Sequence, residues 1–530
     1  MAFAKDIKVG GDIPSLEPSV SVQQRGDVIF AVLLTSIMAV FTQVMLGSAL
    51  GFDDANITMN YAENIANGHG YVYYVGGERV EGSTSPLWTS INALAYLVGI
   101  PIEVWLAAIG FGISIAVITS TLAIARSVTL LLGVGDQNIR IAVGIGFCAV
   151  PTFFGWVIWS YMDIGLWILL CTTLFYVSLK ALDADEWSYA KLTLLSVALV
   201  LCRPEGVAFA CLFAAFLGFF LIWQQRLKML SYPLAMVAVS LVAFGILAGV
   251  RLQYFGFPVP NTFYAKVSTN FVDQIGLGAA YTRQYLTTLP FPVLLLSIVG
   301  ILVIARKTGS DLSRIYIWSM PLGAAFAAIV IYTTLGGDHF GSFRFYQFLT
   351  PISVAYCAAF AIRCLEGATR LRRGVGILAA SAILIVTTAD FLRDTGGLRH
   401  SLMVGVHSRE VGHVLESWTE KPSVGVIPAG GISITYSGVI YDLMGLNWVD
   451  MAMAGRGEVT EFKNHGGFDK GIFYATLPDL VDPHFGPCDE ARMQESVITR
   501  TMLDHILIEQ RFLELYEFAC RDGLVFYQRR

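Results

Sequence analysis

Val28-Ile29-Phe30-Ala31-Val32-Leu33-Leu34-Thr35-Ser36-Ile37-Met38-Ala39-Val40-Phe41 opens an apolar run over 28–49, and Phe52-Asp53-Asp54-Ala55-Asn56-Ile57-Thr58 follows it at once. About 20 apolar residues suffice to cross a bilayer as a helix. The polar stretch 51–86 comes next, so two adjacent carboxylates stand at a membrane–water boundary. Such a pair repels itself and resists desolvation, and a chain that keeps it there usually needs it. Beside a groove the pair can take a proton from a hydroxyl. The plainer alternative is that Asp53 and Asp54 cap the helix that starts the loop.

Outward from this junction the same pattern repeats. The 530 residues are 55% hydrophobic and only 14% charged, with a mean hydropathy of +0.62. Soluble chains carry about 25% charged residues, so this is an α-helical polytopic membrane protein. A net charge of −5 argues against nucleic acid as a partner, since that needs a basic face. Residues 1–27 lack the order of basic, apolar and small-residue regions that marks a cleaved signal, and read as a cytoplasmic tail before a retained span.

Apolar runs recur at 28–49, 103–126, 139–158, 162–181, 188–202, 205–223, 232–251, 289–305, 315–334, 345–363 and 374–391. The basic loops at Arg226/Lys228, Arg306/Lys307/Arg314 and Arg363/Arg370/Arg372/Arg373 are cytoplasmic by the positive-inside rule, as are the N-terminus and the segment holding Arg126 and Arg140. Parity then allows about 11 spans. Residues 86–100, between Pro86 and Pro101, become a juxtamembrane helix inside an extracytoplasmic loop 51–102. The transmembrane module occupies 28–391, and the more polar 392–530 reads as an extracytoplasmic α/β domain in which Val424-Gly425-Val426-Ile427-Pro428-Ala429-Gly430-Gly431 is a strand ending in a glycine turn. Six cysteines lie in or at apolar runs; Cys488 and Cys520 lie in the polar region and are the disulfide candidates, with two free thiols as the alternative.

The polar residues with chemical potential gather on the outer face. Glu81 belongs to the acidic first loop. Tyr71, Tyr73, Tyr74 and Trp88 either stack on a sugar ring or anchor the loop at headgroup level, the latter favoured for Tyr71 and Tyr73. Asp163, after Ser160-Tyr161-Met162, lines a site or caps its helix. Arg203 and Glu205 flank Pro204 as a structural ion pair or a ligand contact. Pro258-Val259-Pro260-Asn261-Thr262-Phe263-Tyr264-Ala265-Lys266 offers amide, phenol and ammonium groups suited to a lipid phosphate and its sugar, with Lys266 as phosphate group or as a snorkelling side chain. In the last outer loop Arg344 can hold a phosphate bidentately, and Asp338 or His339 can position a hydroxyl. Asp338 and His339 alone lack the ligand number of a zinc site. An acid cluster can hold a divalent cation through oxygen ligands, which Asp53 and Asp54 permit without demanding. The chain has no Walker-type phosphate loop, which argues against a nucleotide-driven pump.

Asp53-Asp54-Ala55-Asn56-Ile57-Thr58, Gly68-His69-Gly70, Glu78-Arg79-Val80-Glu81-Gly82-Ser83-Thr84-Ser85-Pro86-Leu87-Trp88, Leu201-Cys202-Arg203-Pro204-Glu205-Gly206, Val259-Pro260-Asn261-Thr262-Phe263-Tyr264-Ala265-Lys266, Gly336-Gly337-Asp338 with Phe343-Arg344-Phe345, and Ile440-Tyr441-Asp442-Leu443-Met444-Gly445-Leu446 together resemble the GT-C glycosyltransferases. Within them the strings are most similar to the mycobacterial terminal arabinofuranosyltransferases and their bacterial relatives. Where relatives often carry a glutamate in a Ser-Gly-Met-Glu-like turn, this chain has Tyr161-Met162-Asp163, a shorter acid.

The resemblance implies a bacterial plasma-membrane transferase with its N-terminus cytoplasmic and its chemistry outside. It implies a polyprenyl-phosphate sugar as donor, most simply arabinofuranose, and a glycan or protein acceptor. Asp53 would be the leading catalytic carboxylate, with Asp54 binding donor or acceptor. Asp163 would line the cavity, and Lys266 and Arg344 would neutralise the donor phosphate. Two other expectations stand beside this one: a flippase for a lipid-linked sugar, which needs polar residues through the bilayer midplane, and the same fold with another polyprenyl-phosphate sugar.

Overall fold

The computed structural model describes residues 20–48, 50–288, 290–307, 312–366, 368–457, 465–495 and 501–530. Among these, seven helices are long and apolar enough to cross a membrane: Gln23–Leu46, Ile102–Leu131, Ile164–Asp183, Gly206–Trp223, Leu227–Phe255, Arg314–Thr334 and Arg370–Ser417. Two more apolar stretches are broken helices, Ile139–Cys148 with Thr152–Trp159 bent by 76° and Phe271–Thr287 with Phe291–Arg306 bent by 62°. The shorter apolar helices Tyr189–Cys202 and Leu349–Leu365 complete the set. Each of the eleven apolar runs in the sequence thus has a helical counterpart, and the protein is a multi-pass membrane protein.

Local chemistry sets the helix ends near the loop 51–102. Pro86 stands at the first position of Pro86–Val98, where its missing N–H costs nothing, and Ser85 Oγ accepts the Trp88 amide at 3.2 Å. Gly99 closes the helix with φ +72°, and Pro101 starts Ile102–Leu131. At the opposite end of the first span, Asp27 accepts from Arg126 and from Arg140, the latter at 2.8 Å, while Arg126 also reaches Asp136 at 2.8 Å. The two arginines that the sequence marks as a basic loop are therefore also a clamp on three helices.

The last span continues through a turn at Thr395–Gly397, where Gly396 and Gly397 have φ of +62° and +75°, into the helix Leu398–Ser417 of the polar region. There β1 (Val424–Val426), β2 (Ile440–Asp442), β3 (Leu480–Phe485), β4 (Tyr516–Arg521) and β5 (Leu524–Arg529) form one sheet in the order β2-β1-β3-β5-β4. β1 pairs in parallel with β2 and β3, and β5 runs antiparallel to β3 and β4. Cys488 and Cys520 form a disulfide with a Cα–Cα distance of 5.8 Å, joining the segment after β3 to β4.

This domain packs directly on the loop 51–102. Ile57, Tyr61, Tyr73 and Val80 share an apolar core with Val411, Leu415, Ile432 and Leu446. That packing corrects the headgroup anchoring favoured for Tyr71 and Tyr73. Tyr73 is 2% exposed and its hydroxyl donates to the Ala429 carbonyl. Tyr71 packs between Tyr61, tilted at 34°, and Phe255, edge-on at 86°, and shares a hydrogen bond with Ser83. A phenol enclosed between two domains finds a protein partner, as a buried O–H must.

Candidate functional site

Phe52 fixes the start of the helix Asp53–Ala66: fully buried, it packs on the rings of Trp156 and Phe340 at 5.1 and 5.5 Å. Gly51, at φ +77°, lets the backbone pass where a Cβ would lie 2.8 Å from the Tyr161 ring. Successive helical residues point about 100° apart, so the two carboxylates diverge. Asp53 turns to the polar domain and accepts the Gly430 and Gly431 amides, both at 2.8 Å. A Cβ on Gly430 would lie 1.7 Å from the Asp53 carbonyl oxygen, so only glycine permits this approach. Burial pushes the Asp53 carboxyl up to about 6, opposed by the two amides and reinforced by the charge of Asp54.

Asp54 turns the other way, into a cavity of about 460 Å³. Of the residues singled out from sequence, Asp54, Asp163, Arg203, Glu205, Lys266, Asp338 and Arg344 line it. Lys266 Nζ stands 3.7 Å from Asp54 Oδ2, with both side chains 25% exposed, an ion pair beyond hydrogen-bond length. Arg203 binds Glu205 at 2.6 Å and Asp163 at 3.3 Å, while Arg344 grips both oxygens of Asp338 at 2.7 and 2.8 Å. The Phe345 ring lies 5.0 Å from the first guanidinium and 4.9 Å from the second, so one π-face system serves two cations. Ser342 and Phe343 hold φ of +56° and +50°, left-handed geometry that costs energy and turns Arg344 inward. Phe244, Leu212, Val330 and Ile331, from three apolar helices, form the opposite wall.

The structure places five of the sequence-derived candidates outside the cavity lining. Asp53 bonds Gly430 and Gly431, as above. Glu81 forms a buried two-point pair with Arg251 at 2.7 and 2.8 Å. Asn261 Nδ2 donates to the Gly445 and Leu446 carbonyls at 2.8 and 3.0 Å, tying its loop to the polar domain. Tyr264 packs beside Phe257 and under the Arg456 guanidinium. The His339 ring packs, tilted, against Phe340 and against His465 of the polar domain at 4.2 and 4.0 Å, with Nδ1 3.7 Å from Asp338.

Sequence reasoning passed over Phe345 and Thr262 as individual residues. Phe345 adjoins Arg344, but its second cation, Arg203, comes from a distant segment, so no local pattern marks the ring as shared. Thr262 does: it precedes Lys266 by four residues, the spacing that puts two side chains on one helix face. Among the described residues no group of three or more His, Cys, Asp or Glu converges as metal ligands. Asp163, Glu205 and Asp338 are each bound by a guanidinium and Asp54 faces an ammonium.

No family model and no curated protein matches the chain. Solved structures do match. The Archaeoglobus fulgidus oligosaccharyltransferase in the apo form aligns with a TM-score of 0.55 at 11% identity, over 96% of this chain and 74% of that one. The Archaeoglobus fulgidus oligosaccharyltransferase AglB in complex with an inhibitory peptide and a dolichol-phosphate gives 0.53 at 12% identity, over the same 96% and 74%. ArnT from Cupriavidus metallidurans bound to undecaprenyl phosphate gives 0.50 at 12% identity, over 94% of this chain and 97% of that one. At this identity the likeness is one of fold.

Proposed function

We propose that this protein transfers a sugar from a polyprenyl-phosphate donor to a glycan or protein acceptor on the extracytoplasmic face of the membrane. The observation that carries the reading is a single cavity in which the Asp54 carboxylate and the Lys266 ammonium stand 3.7 Å apart, with an apolar wall formed by spanning helices. That combination suits a ligand with an anionic head, a polar sugar and a hydrocarbon tail. The solved structures of the same fold contain dolichol-phosphate and undecaprenyl phosphate, which supports a lipid-linked donor here.

In the reaction Asp54 takes the proton of an acceptor hydroxyl as its oxygen bonds the anomeric carbon. The bond from that carbon to the phosphate oxygen breaks, and its electron pair leaves with the polyprenyl phosphate. Lys266 neutralises the charge that develops on the leaving group. Arg344, whose Nε and Nη2 are engaged by Asp338, adds its field to the same side. Asp53 serves as a brace for the polar domain. The donor sugar is arabinofuranose, a choice supported by the motif resemblance. The N-terminus is cytoplasmic and the polar domain lies outside the plasma membrane.

The test is a transfer assay with synthetic polyprenyl-phosphoryl-arabinofuranose, water being the minimal acceptor, on wild type and Asp54→Asn. Release of arabinose by the wild type and its loss in the variant is the expected result. Undiminished release by the variant removes Asp54 as base. Donor binding without release points to a missing acceptor, and no binding rejects this donor.

A further inference from the structure

Thr262 is 7% exposed and lines the cavity beside Lys266, yet its Oγ1 meets no hydrogen-bond partner among the described residues. A buried hydroxyl left unpaired is destabilising, and folded proteins retain few of them. The usual outlet for a helical threonine is the carbonyl four residues back, which Thr42, Thr121 and Thr129 all use. Thr262 lacks it because its helix, Asn261–Lys266, begins one residue earlier. Nor is the helix free to shift: the Asn261 amide donates to the Glu81 carbonyl at 3.0 Å, its side chain holds Gly445 and Leu446, and Ala265 is fully buried in the interdomain core.

Lys266 lies four residues on, over the same helix face. The two guanidiniums of the cavity are already bound by carboxylates, whereas the Lys266 contact to Asp54 is a loose 3.7 Å. We infer that Thr262 and Lys266 together clasp the phosphate of the lipid donor, Lys266 supplying charge and the Thr262 hydroxyl a hydrogen bond to a non-bridging oxygen. The inference rests on the proposed lipid-phosphate donor and makes Thr262 a residue that selects the phosphoryl group.

Thr262→Val keeps the side-chain volume and deletes the hydroxyl; Thr262→Ser restores it. The experiment measures thermal stability and binding of undecaprenyl phosphate to the full-length protein in nanodiscs, with undecaprenol as the phosphate-free control. The valine variant should melt at or above the wild-type temperature, because an unpaired buried hydroxyl is gone. Its affinity for undecaprenyl phosphate should fall about 10-fold, with serine recovering most of the loss and undecaprenol binding unchanged. Wild-type affinity in the valine variant overturns the inference. So does a lowered melting temperature with no rescue by serine, which marks a packing role. Unchanged phosphate binding with a raised KM for the sugar-bearing donor assigns the hydroxyl to the sugar and also overturns it. If the wild type holds undecaprenyl phosphate no better than undecaprenol, the donor reading itself fails and the clasp with it.

Discussion

Asp53 and Asp54 are consecutive in the chain but face different partners: Asp53 accepts two amides of the polar domain at 2.8 Å, and Asp54 faces Lys266 at 3.7 Å in the cavity. Substitutions should therefore separate stability from chemistry. Asp54→Asn should lower kcat at least 100-fold while leaving the melting temperature near that of the wild type. Asp53→Ala leaves two amides unpaired and should cost about 2 kcal/mol, seen as a lower melting temperature with donor binding retained. Equal loss of activity at unchanged stability in both variants would return Asp53 to the reaction.

The same carboxyl gives a pH signature. Burial raises Asp53 from an ordinary 3.8 to about 6, and burial does the same to Asp442 in β2. A folded-state value above the unfolded one means that the folded chain holds the proton more tightly. The stability due to this group is fully present below the unfolded value and is lost as pH rises through about 6. The melting-temperature gap between wild type and Asp53→Ala should widen as pH is lowered from about 7.5 to about 4.5. A gap that does not change with pH would remove Asp53 as the titrating group.

What the sequence carried well was information that a short stretch holds by itself. The apolar runs mark the helices because a bilayer accepts little else, and Ser85, Pro86, Gly99 and Pro101 punctuate the helices Pro86–Val98 and Ile102–Leu131 by their own backbone chemistry. Charges at the ends of apolar runs brought seven candidates to one cavity for the same reason. Which of two adjacent aspartates faces that cavity needs the helix orientation, set by Phe52 against Trp156 and Phe340. Glu81 looked like a loop acid because its partner Arg251 is 170 residues away. Tyr73 and Asn261 looked like ligand or headgroup contacts because the carbonyls they bind belong to a domain whose docking no local pattern records.

The buried pair of Arg344 and Asp338 predicts a non-additive response. Arg344→Met strands a carboxylate whose side chain is 3% exposed, and removing one partner of such a pair costs about 3–5 kcal/mol. The double variant Arg344→Met/Asp338→Asn removes the stranded charge and should recover much of the stability. It should not recover transfer, because the cavity has lost a cation on its phosphate side. Melting curves and the transfer assay on the single and double variants check both halves; additive losses in stability would show that the two side chains act independently.

The disulfide of Cys488 and Cys520 spans a sequence separation of 32, and closing a loop of that length restricts the unfolded chain by about 3–4 kcal/mol in the chain-entropy account. The bond holds β4, at the sheet edge, to the segment that follows β3, so its loss should loosen the edge strand before the spanning helices. Cys488→Ser/Cys520→Ser, or reduction of the wild type, should lower the melting temperature of the polar domain while leaving detergent-solubilised helices intact by circular dichroism. Alkylation of the wild type in intact cells gives a second reading, since a disulfide persists in an oxidising compartment and not in the cytosol. The pair should resist alkylation until reductant is added; labelling without reductant would place the polar domain on the cytoplasmic side and take the acceptor site with it.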